Sequence, residues 1–272
     1  MYSDGATVSL HPRFKNGTIG ESSHVFSYTL ASPGPGHDGS QEQANPHQTI
    51  FTPSGDFFIV PDRGADLVYV YHTPSSGEVT RLNDIELPKG SGPRHAAFRK
   101  VSKTKSLMIL LGELDNSLRV YQVVEKRGTL DVTLLQTVST LGEGLKPTLP
   151  EGHDLAAEVE ISPDGRFVYA SNRDTTGFES DFLAIYSLQS DHAKQPLSWV
   201  GRNDTHGKLP RHFAIGGGKK GAYVAVLNQV TNDLQVFERD VKGGLLGERV
   251  GKLVLGETTT DTDVGPINVL WD

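Results

Sequence analysis

Three short segments of this chain place a histidine directly after proline or arginine: Asn45-Pro46-His47, Pro93-Arg94-His95 and Pro210-Arg211-His212. A fourth, Ala157-Glu158, carries a carboxylate at the corresponding point. Each is followed by a second polar set, namely Asp62-Arg63, Glu113, Asn172-Arg173 and Asn228-Gln229. The separations are 15 residues (62−47), 19 (113−94), 15 (173−158) and 18 (229−211). These residue types suit a small anion and a mobile proton. Arginine offers a planar fork for carboxylate or phosphate, and histidine exchanges a proton near neutrality. A glutamate beside arginine is an ion-pair partner or a base. Other chemistries are excluded. Without cysteine there is no disulfide, no cysteine-based zinc site and no thiol nucleophile. No H-E-x-x-H, EF-hand loop or nucleophile elbow occurs. Gly216-Gly217-Gly218-Lys219-Lys220 lacks the spacing of a phosphate-binding loop.

The elements that position these groups repeat along the chain. An apolar run, a polar link and an alternating run ending in an aromatic recur four times. Phe57-Phe58-Ile59-Val60 precedes Leu67-Val68-Tyr69-Val70-Tyr71, and Leu107-Met108-Ile109-Leu110-Leu111 precedes Leu118-Arg119-Val120-Tyr121. Phe167-Val168-Tyr169-Ala170 precedes Leu183-Ala184-Ile185-Tyr186, and Tyr223-Val224-Ala225-Val226-Leu227 precedes Leu234-Gln235-Val236-Phe237. The closing aromatics lie 50 (121−71), 65 (186−121) and 51 (237−186) residues apart, the longer interval holding an insertion around 141–154. The runs are β-branched and aromatic and too short for helices. Turns such as Thr52-Pro53-Ser54-Gly55 and Ser162-Pro163-Asp164-Gly165 separate them. With weaker outer strands at 78–82 and 197–200, each repeat makes a four-stranded sheet. Repetition of that sheet predicts an all-β propeller forming a single domain over 1–272 that starts inside a blade.

The start of a first strand and the end of its antiparallel second strand share one rim. The four polar pairs therefore converge on a single mouth. Residues 1–28 read as the back half of a repeat, and Gly265-Pro266-Ile267-Asn268-Val269-Leu270-Trp271 resembles an opening strand. Together they are expected to complete a fifth blade and close the ring.

Composition narrows the partners. Net charge is −7, from 26 basic and 33 acidic residues, which leaves no electrostatic footprint for nucleic acid. No run approaches the ~18 apolar residues of a membrane helix, and Met1-Tyr2-Ser3-Asp4-Gly5 does not open like a signal peptide. The cytosol is the default compartment, with secretion open if a leader once preceded residue 1. Asn16-Gly17-Thr18 and Asn203-Asp204-Thr205 fit the glycosylation pattern by chance-level matches. Structural or surface roles are assigned to His11, His24, His37, His72, His153, His192 and His206, and a solvated position to Arg166. Asp62 and Asp66 have a second reading, as side chains that hold a turn.

The ordered motifs carry a resemblance. Pro46-His47-Gln48, Val60-Pro61-Asp62-Arg63-Gly64-Ala65-Asp66, Gly92-Pro93-Arg94-His95, Glu113-Leu114 with Asn116-Ser117, Ala156-Ala157-Glu158-Val159 with Ser162 through Arg173, and Pro210-Arg211-His212-Phe213 occur in one order. The chain resembles the lactonase family of seven-bladed propellers. That family includes bacterial-type 6-phosphogluconolactonase and the fungal 3-carboxy-cis,cis-muconate lactonizing enzyme, and the motifs have a fungal flavour. The resemblance implies His47, Glu113, Arg94 and Arg173 as catalytic residues. His95, Asp62, Glu158 and Arg211 are the flanking candidates for substrate contact. It further implies a small anionic lactone as substrate, no cofactor and no metal, and hydrolysis as the reaction. Reversible cyclisation of a carboxymuconate is the alternative, and a non-catalytic propeller a third reading. Against seven blades, the chain is expected to begin midway through the third.

Overall fold

The computed structural model describes residues 6–36, 39–74, 78–145, 155–173, 179–190, 193–218, 220–261 and 264–271. All regular structure among them is β. The first hairpin pairs β1 (Thr7–Leu10) with β2 (His24–Ser27). Blade one comprises β3 (Ile50–Phe51), β4 (Phe57–Asp62), β5 (Leu67–His72) and an outer edge split into β6 (Thr80–Arg81) and β7 (Ile85–Glu86). Blade two runs β8 (Pro93–Lys100), β9 (Lys105–Gly112), β10 (Ser117–Lys126) and β11 (Thr129–Ser139). Blade three runs β12 (Leu155–Ile161), β13 (Phe167–Arg173), β14 (Phe182–Leu188) and β15 (Leu197–Asp204). Blade four runs β16 (Pro210–Gly216), β17 (Tyr223–Asn228), β18 (Asp233–Arg239) and β19 (Leu246–Val254). Every neighbouring pair is antiparallel, as four-stranded meanders require. The repeats are propeller blades.

The continuous apolar runs are explained by two buried faces per sheet. Side chains alternate across a strand, so Leu107, Ile109 and Leu111 of β9 pack with Val159, Val168 and Ala170 of blade three. Met108 and Leu110 of the same strand face Ile59, Val68 and Val70 of blade one. On β13 the odd positions Phe167 and Tyr169 turn to Phe213, Val224 and Val226 of blade four. β9 and β13 thus each contribute to two inter-blade cores, which leaves no room for the polar alternation of a half-exposed strand. At the ~25 cal/mol per Å² of apolar burial, these faces are the main cohesive force between blades.

The expected composite fifth blade is not formed among the described residues. The β1–β2 hairpin packs on blade one through aromatic rings: Tyr28 stacks on Tyr69 at 4.3 Å between centroids, Phe26 lies 4.6 Å from Tyr71, and the Tyr28 and Tyr71 hydroxyls meet at 2.8 Å. Residues 264–271 instead lie along β16, where the Trp271 indole donates to Ala214 O at 2.9 Å. The two segments find different neighbours because their large side chains do. The rings of β2 match β5, and Trp271 sits over Gly216, where a Cβ would fall 2.2 Å from the indole. Part of the insertion, with His37, His153 and His192, lies outside the described residues.

Away from the mouth, blades are joined by guanidinium groups on backbone carbonyls. Arg99 of β8 donates to Gly165 O at 3.1 Å, Leu188 O at 3.2 Å and Gln189 O at 2.5 Å, all in blade three. Arg166, expected to be solvated, repeats the device one blade on, reaching Val241 O at 3.3 Å and Lys242 O at 3.2 Å. Asn203 joins the same blades, exchanging hydrogen bonds with the backbone of Leu246, so this glycosylation match is committed to packing. Arg99→Met, which keeps the stem and removes the donors, is expected to lower unfolding free energy by about 1–3 kcal/mol. Urea unfolding of the two proteins measures it.

Candidate active site

The inner and second strands bring three arginines onto one carboxylate. Glu113, just beyond β9, receives Arg63 Nε at 2.9 Å and Arg173 at 3.0 Å on Oε1, and pairs with Arg94 Nε at 2.7 Å on Oε2. Arg63 follows β4, Arg94 stands at the start of β8 and Arg173 ends β13, so the cluster draws on blades one, two and three. All four side chains are largely buried, from 3% exposed for Arg94 to 14% for Arg63. Arg94 also donates to Ala157 O, and Arg173 to Ala156 O at 3.2 Å. The Nε of Arg173 is buried without a hydrogen-bond partner among the described residues.

Local backbone irregularity aims these groups. The ladder between first and second strand shifts register between Pro93 and His95, between Ala156 and Val159, and between Pro210 and His212. The same bulge therefore recurs in three blades, at the residues that carry the polar side chains. A bulge inserts an unpaired residue and re-aims its neighbours, which lets Arg94 turn to Glu113 while adjacent His95 turns to Glu158. Gly92, at φ +56°, makes the bend into β8, where a Cβ would meet Leu114 at 2.5 Å. The corresponding residue before β16, Leu209, adopts the same left-handed φ of +56° as a non-glycine.

A second chain of contacts runs beside the first. His47 Nδ1 lies 3.1 Å from His95 Nε2, His95 Nδ1 lies 2.8 Å from Glu158 Oε1, and His212 Nε2 lies 3.4 Å from Glu158 Oε2. Below it opens a cleft of about 400 Å³ between the inner strands, lined by Gln48, His95, Glu158, Glu160 and His212 among others.

The electrostatics separate the groups into charged and neutral. Burial pushes Glu113 up, but Arg173, Arg63 and Arg94 together outweigh it and hold the carboxylate well below its usual range. Burial, with Arg173 adding to it and Glu113 opposing, brings Arg94 down to about 9, so it stays a cation at neutral pH. His47 falls well below the ordinary histidine value through burial, then through Arg94 and His95. His95 falls for the same first two reasons, burial and Arg94. For Glu158 burial opposes charge, but His95, His212 and Arg94 prevail and keep it ionised. Glu160 goes the other way. Burial raises it to about 8, with an Ile215 N–H bond too weak to offset this and Glu158 adding repulsion.

Of the residues expected at the mouth, His47, His95, Arg94, Glu113, Glu158 and Arg173 are brought together. Arg211 stands near them, its NH1 3.3 Å from Gln229 Oε1 and its charge felt by Arg94. Asp62, offered as a substrate contact, is fully buried and engaged by its own turn. Its carboxylate accepts the backbone N–H groups of Asn45, Gly64 and Ala65 at 2.7 to 2.9 Å, so the turn-holding reading is the correct one. Asp66 acts alike toward Gly90 and Gly92. Two participants were named in the motifs without a role, Arg63 and His212. Their signal was present: each occupies the same repeat position as a selected neighbour.

With this geometry, the comparisons with known proteins become informative. The family described as "Lactonase, 7-bladed beta-propeller" matches residues 1–262. This chain belongs to that family. It is 28% identical over 227 residues to the probable 6-phosphogluconolactonase of Arthroderma benhamiae, covering 83% of this chain and 55% of the relative. It is 30% identical to the 6-phosphogluconolactonase of Serratia proteamaculans, covering 81% and 64%. The structure of the periplasmic gluconolactonase PpgL of Pseudomonas aeruginosa superposes with a TM-score of 0.73 at 28% identity, over 93% of this chain and 65% of that one. The chain thus spans little more than half to two thirds of the length of these relatives. Among the described residues no group of three or more acidic, histidine or cysteine side chains is arranged to hold a metal ion, and no helix is long and apolar enough to cross a membrane.

Glu113→Gln removes the one carboxylate that, among the described residues, touches all three guanidiniums, and so strips these buried cations of that counter-charge. The expected cost is about 3 kcal/mol or more in unfolding free energy, read by urea titration. Glu160 carries a pH signature. A carboxyl raised from 4.5 to about 8 by folding binds more protons in the native state, so stability falls as pH climbs through that window. Glu160→Gln is expected to be more stable than the parent above about pH 8, by on the order of 2 kcal/mol, and no more stable near pH 5. Thermal melts at both pH values check the sign.

Proposed function

We propose that this chain carries the active site of a hydrolase acting on a small anionic lactone, of the 6-phosphogluconolactone type. The observation that carries the reading is the imbalance of the charge cluster. Among the described residues three guanidiniums contact one carboxylate beside a neutral histidine, so these four charged groups carry two positive charges in excess (3 − 1). Such a site has a standing demand for an anion, and its low-dielectric surroundings strengthen each contact.

In the proposed reaction, Arg63 and Arg173 hold the phosphate or carboxylate of the substrate, and Arg94 faces the developing oxyanion. His47 accepts a proton from water as the water oxygen bonds to the lactone carbonyl carbon. The carbonyl π electrons move to oxygen. When the tetrahedral adduct collapses, the ring C–O bond breaks and the leaving alkoxide takes the proton back from His47. The product acid then ionises, releasing one proton per turnover. Glu113, held ionised by its arginines, organises the cations rather than carrying a proton. Of the two roles open to a glutamate beside arginine, ion-pair partner or base, this reading takes the first.

The cytosol remains the proposed compartment. Cyclisation of a carboxymuconate would use the same anion clamp, with a proton delivered to carbon, and is separated by substrate alone. The test is proton release in a pH-stat from 6-phosphogluconolactone and, in parallel, the change in ultraviolet absorbance of carboxymuconate. Hydrolysis above the spontaneous rate, reduced about 10²- to 10⁴-fold in His47→Ala, is the expected outcome. Turnover of neither substrate by the folded chain, or unchanged hydrolysis by folded His47→Ala, overturns the reading.

A further inference from the structure

The contacts of His95 and Glu158 assign protons as well as positions. Glu158 is an acceptor on both oxygens: Oε1 takes the Val159 N–H at 3.0 Å as well as His95 Nδ1 at 2.8 Å, and Oε2 faces His212. A neutral His95 must therefore carry its proton on Nδ1, which leaves Nε2 as a bare acceptor. His47 Nδ1 lies 3.1 Å from that acceptor, so it is the donor, and the lone pair of His47 falls on Nε2. His212 obeys the same logic. The Val269 N–H approaches its Nδ1 at 3.4 Å, which makes Nε2 the protonated atom facing Glu158. One carboxylate thus orders the imidazoles on both sides of it.

We propose that Glu158, acting through His95, is a positioning residue that fixes His47 as the Nδ1–H tautomer and so supplies the basic Nε2 lone pair used in catalysis. Glu158 and His95 belong to different blades, β12 and β8, and His47 precedes β3. The relay therefore crosses two blade boundaries, and its register depends on the bulges in β8 and β12. The groups facing His47 are Arg63, Arg94, His95 and Glu113. Those facing Glu158 are His95, His212, Arg94 and the neighbouring carboxyl of Glu160. With cations crowding His47, a second proton on that ring is disfavoured, and only tautomer selection decides which nitrogen is basic. Asp-to-imidazole contacts perform this selection in serine hydrolases. Here the carboxylate works one ring further away.

The inference rests on the hydrolase reading for its catalytic meaning, but its structural content is separable. Nitrogen-15 correlation spectra of imidazole-labelled full-length chain report each tautomer directly. The parent is expected to show the Nδ1–H pattern at His47 and at His95, and the Nε2–H pattern at His212. Glu158→Gln fills the same space, yet its amide can meet His95 with either a carbonyl or an NH₂, so His95 and His47 are expected to become mixed. An Nε2–H pattern at His47 in the parent, or unchanged spectra in a folded Glu158→Gln, overturns the proposal whatever the enzyme does. In kinetics, Glu158→Gln is expected to lower kcat on the order of 10²-fold with KM within about twofold, and Glu158→Asp to recover part of it. Equal loss in KM and kcat, with no recovery by aspartate, marks a general packing role and also overturns it. Were Glu158→Gln not to fold, the parent spectrum and a His95→Gln variant, which removes the ring acceptor, make the same discrimination. Ordered tautomers without lactone turnover would uphold the relay and sink the hydrolase reading instead.

Discussion

The contact on which the site depends is one carboxylate shared by three guanidiniums. Glu113 gathers arginines from three consecutive blades, and none of the four is more than 14% exposed. Burying such charge is expensive, and apolar residues of similar size would hold the blades together as well or better. Stability alone does not account for the arrangement. An excess of positive charge held in fixed geometry does chemical work that a hydrophobic cluster cannot: it lowers the free energy of an incoming anion before any part of the protein moves. The depressed histidines follow first from burial, and the arginine charge adds to it. Burial, reinforced by Arg94, disfavours a second proton on His47, so its ring stays neutral beside the charge cluster.

The hydrophobic architecture makes this cluster possible. Alternation on β9 and β13 sends side chains into two cores at once, which fixes the spacing between neighbouring sheets. Sheets held at fixed spacing present their upper ends to one another, and groups far apart in sequence, such as Arg63 and Glu113, meet within hydrogen-bond distance. The bulges then break the strict alternation at the ends of the inner strands, where consecutive residues must serve two different clusters.

The repeat, the strand pattern and most of the mouth were legible in the chain. Spacing alone placed Arg94, Glu113 and Arg173 on a common rim, because a hairpin of nearly constant length returns to the edge it left. What escaped was set by backbone detail. Asp62 and Glu113 occupy equivalent exits, but Asp62 accepts one N–H from the loop before β3 and two from the turn after β4, whereas Glu113 meets guanidiniums. No property of an aspartate in a sequence distinguishes a turn anchor from a ligand contact. No one residue type marks the bulges either: Pro93-Arg94-His95 and Pro210-Arg211-His212 are alike, but Ala156-Ala157-Glu158 shares none of their residues. The composite blade failed for a different reason, since the packing of Tyr28 on Tyr69 and of Trp271 over Gly216 is decided by rings and a missing Cβ.

The carbonyl contacts of Arg99 tie blade two to blade three, and those of Arg166 tie blade three to blade four. Together with cores shared only between adjacent sheets, they give the molecule the energetics of a row of units with nearest-neighbour coupling. In such a row a local disturbance is passed along stepwise and weakens with distance. The charge cluster is the exception, because it spans three units at once. A bound anion would therefore act as a cross-tie, making those three sheets open together or not at all and turning a graded response into a concerted one.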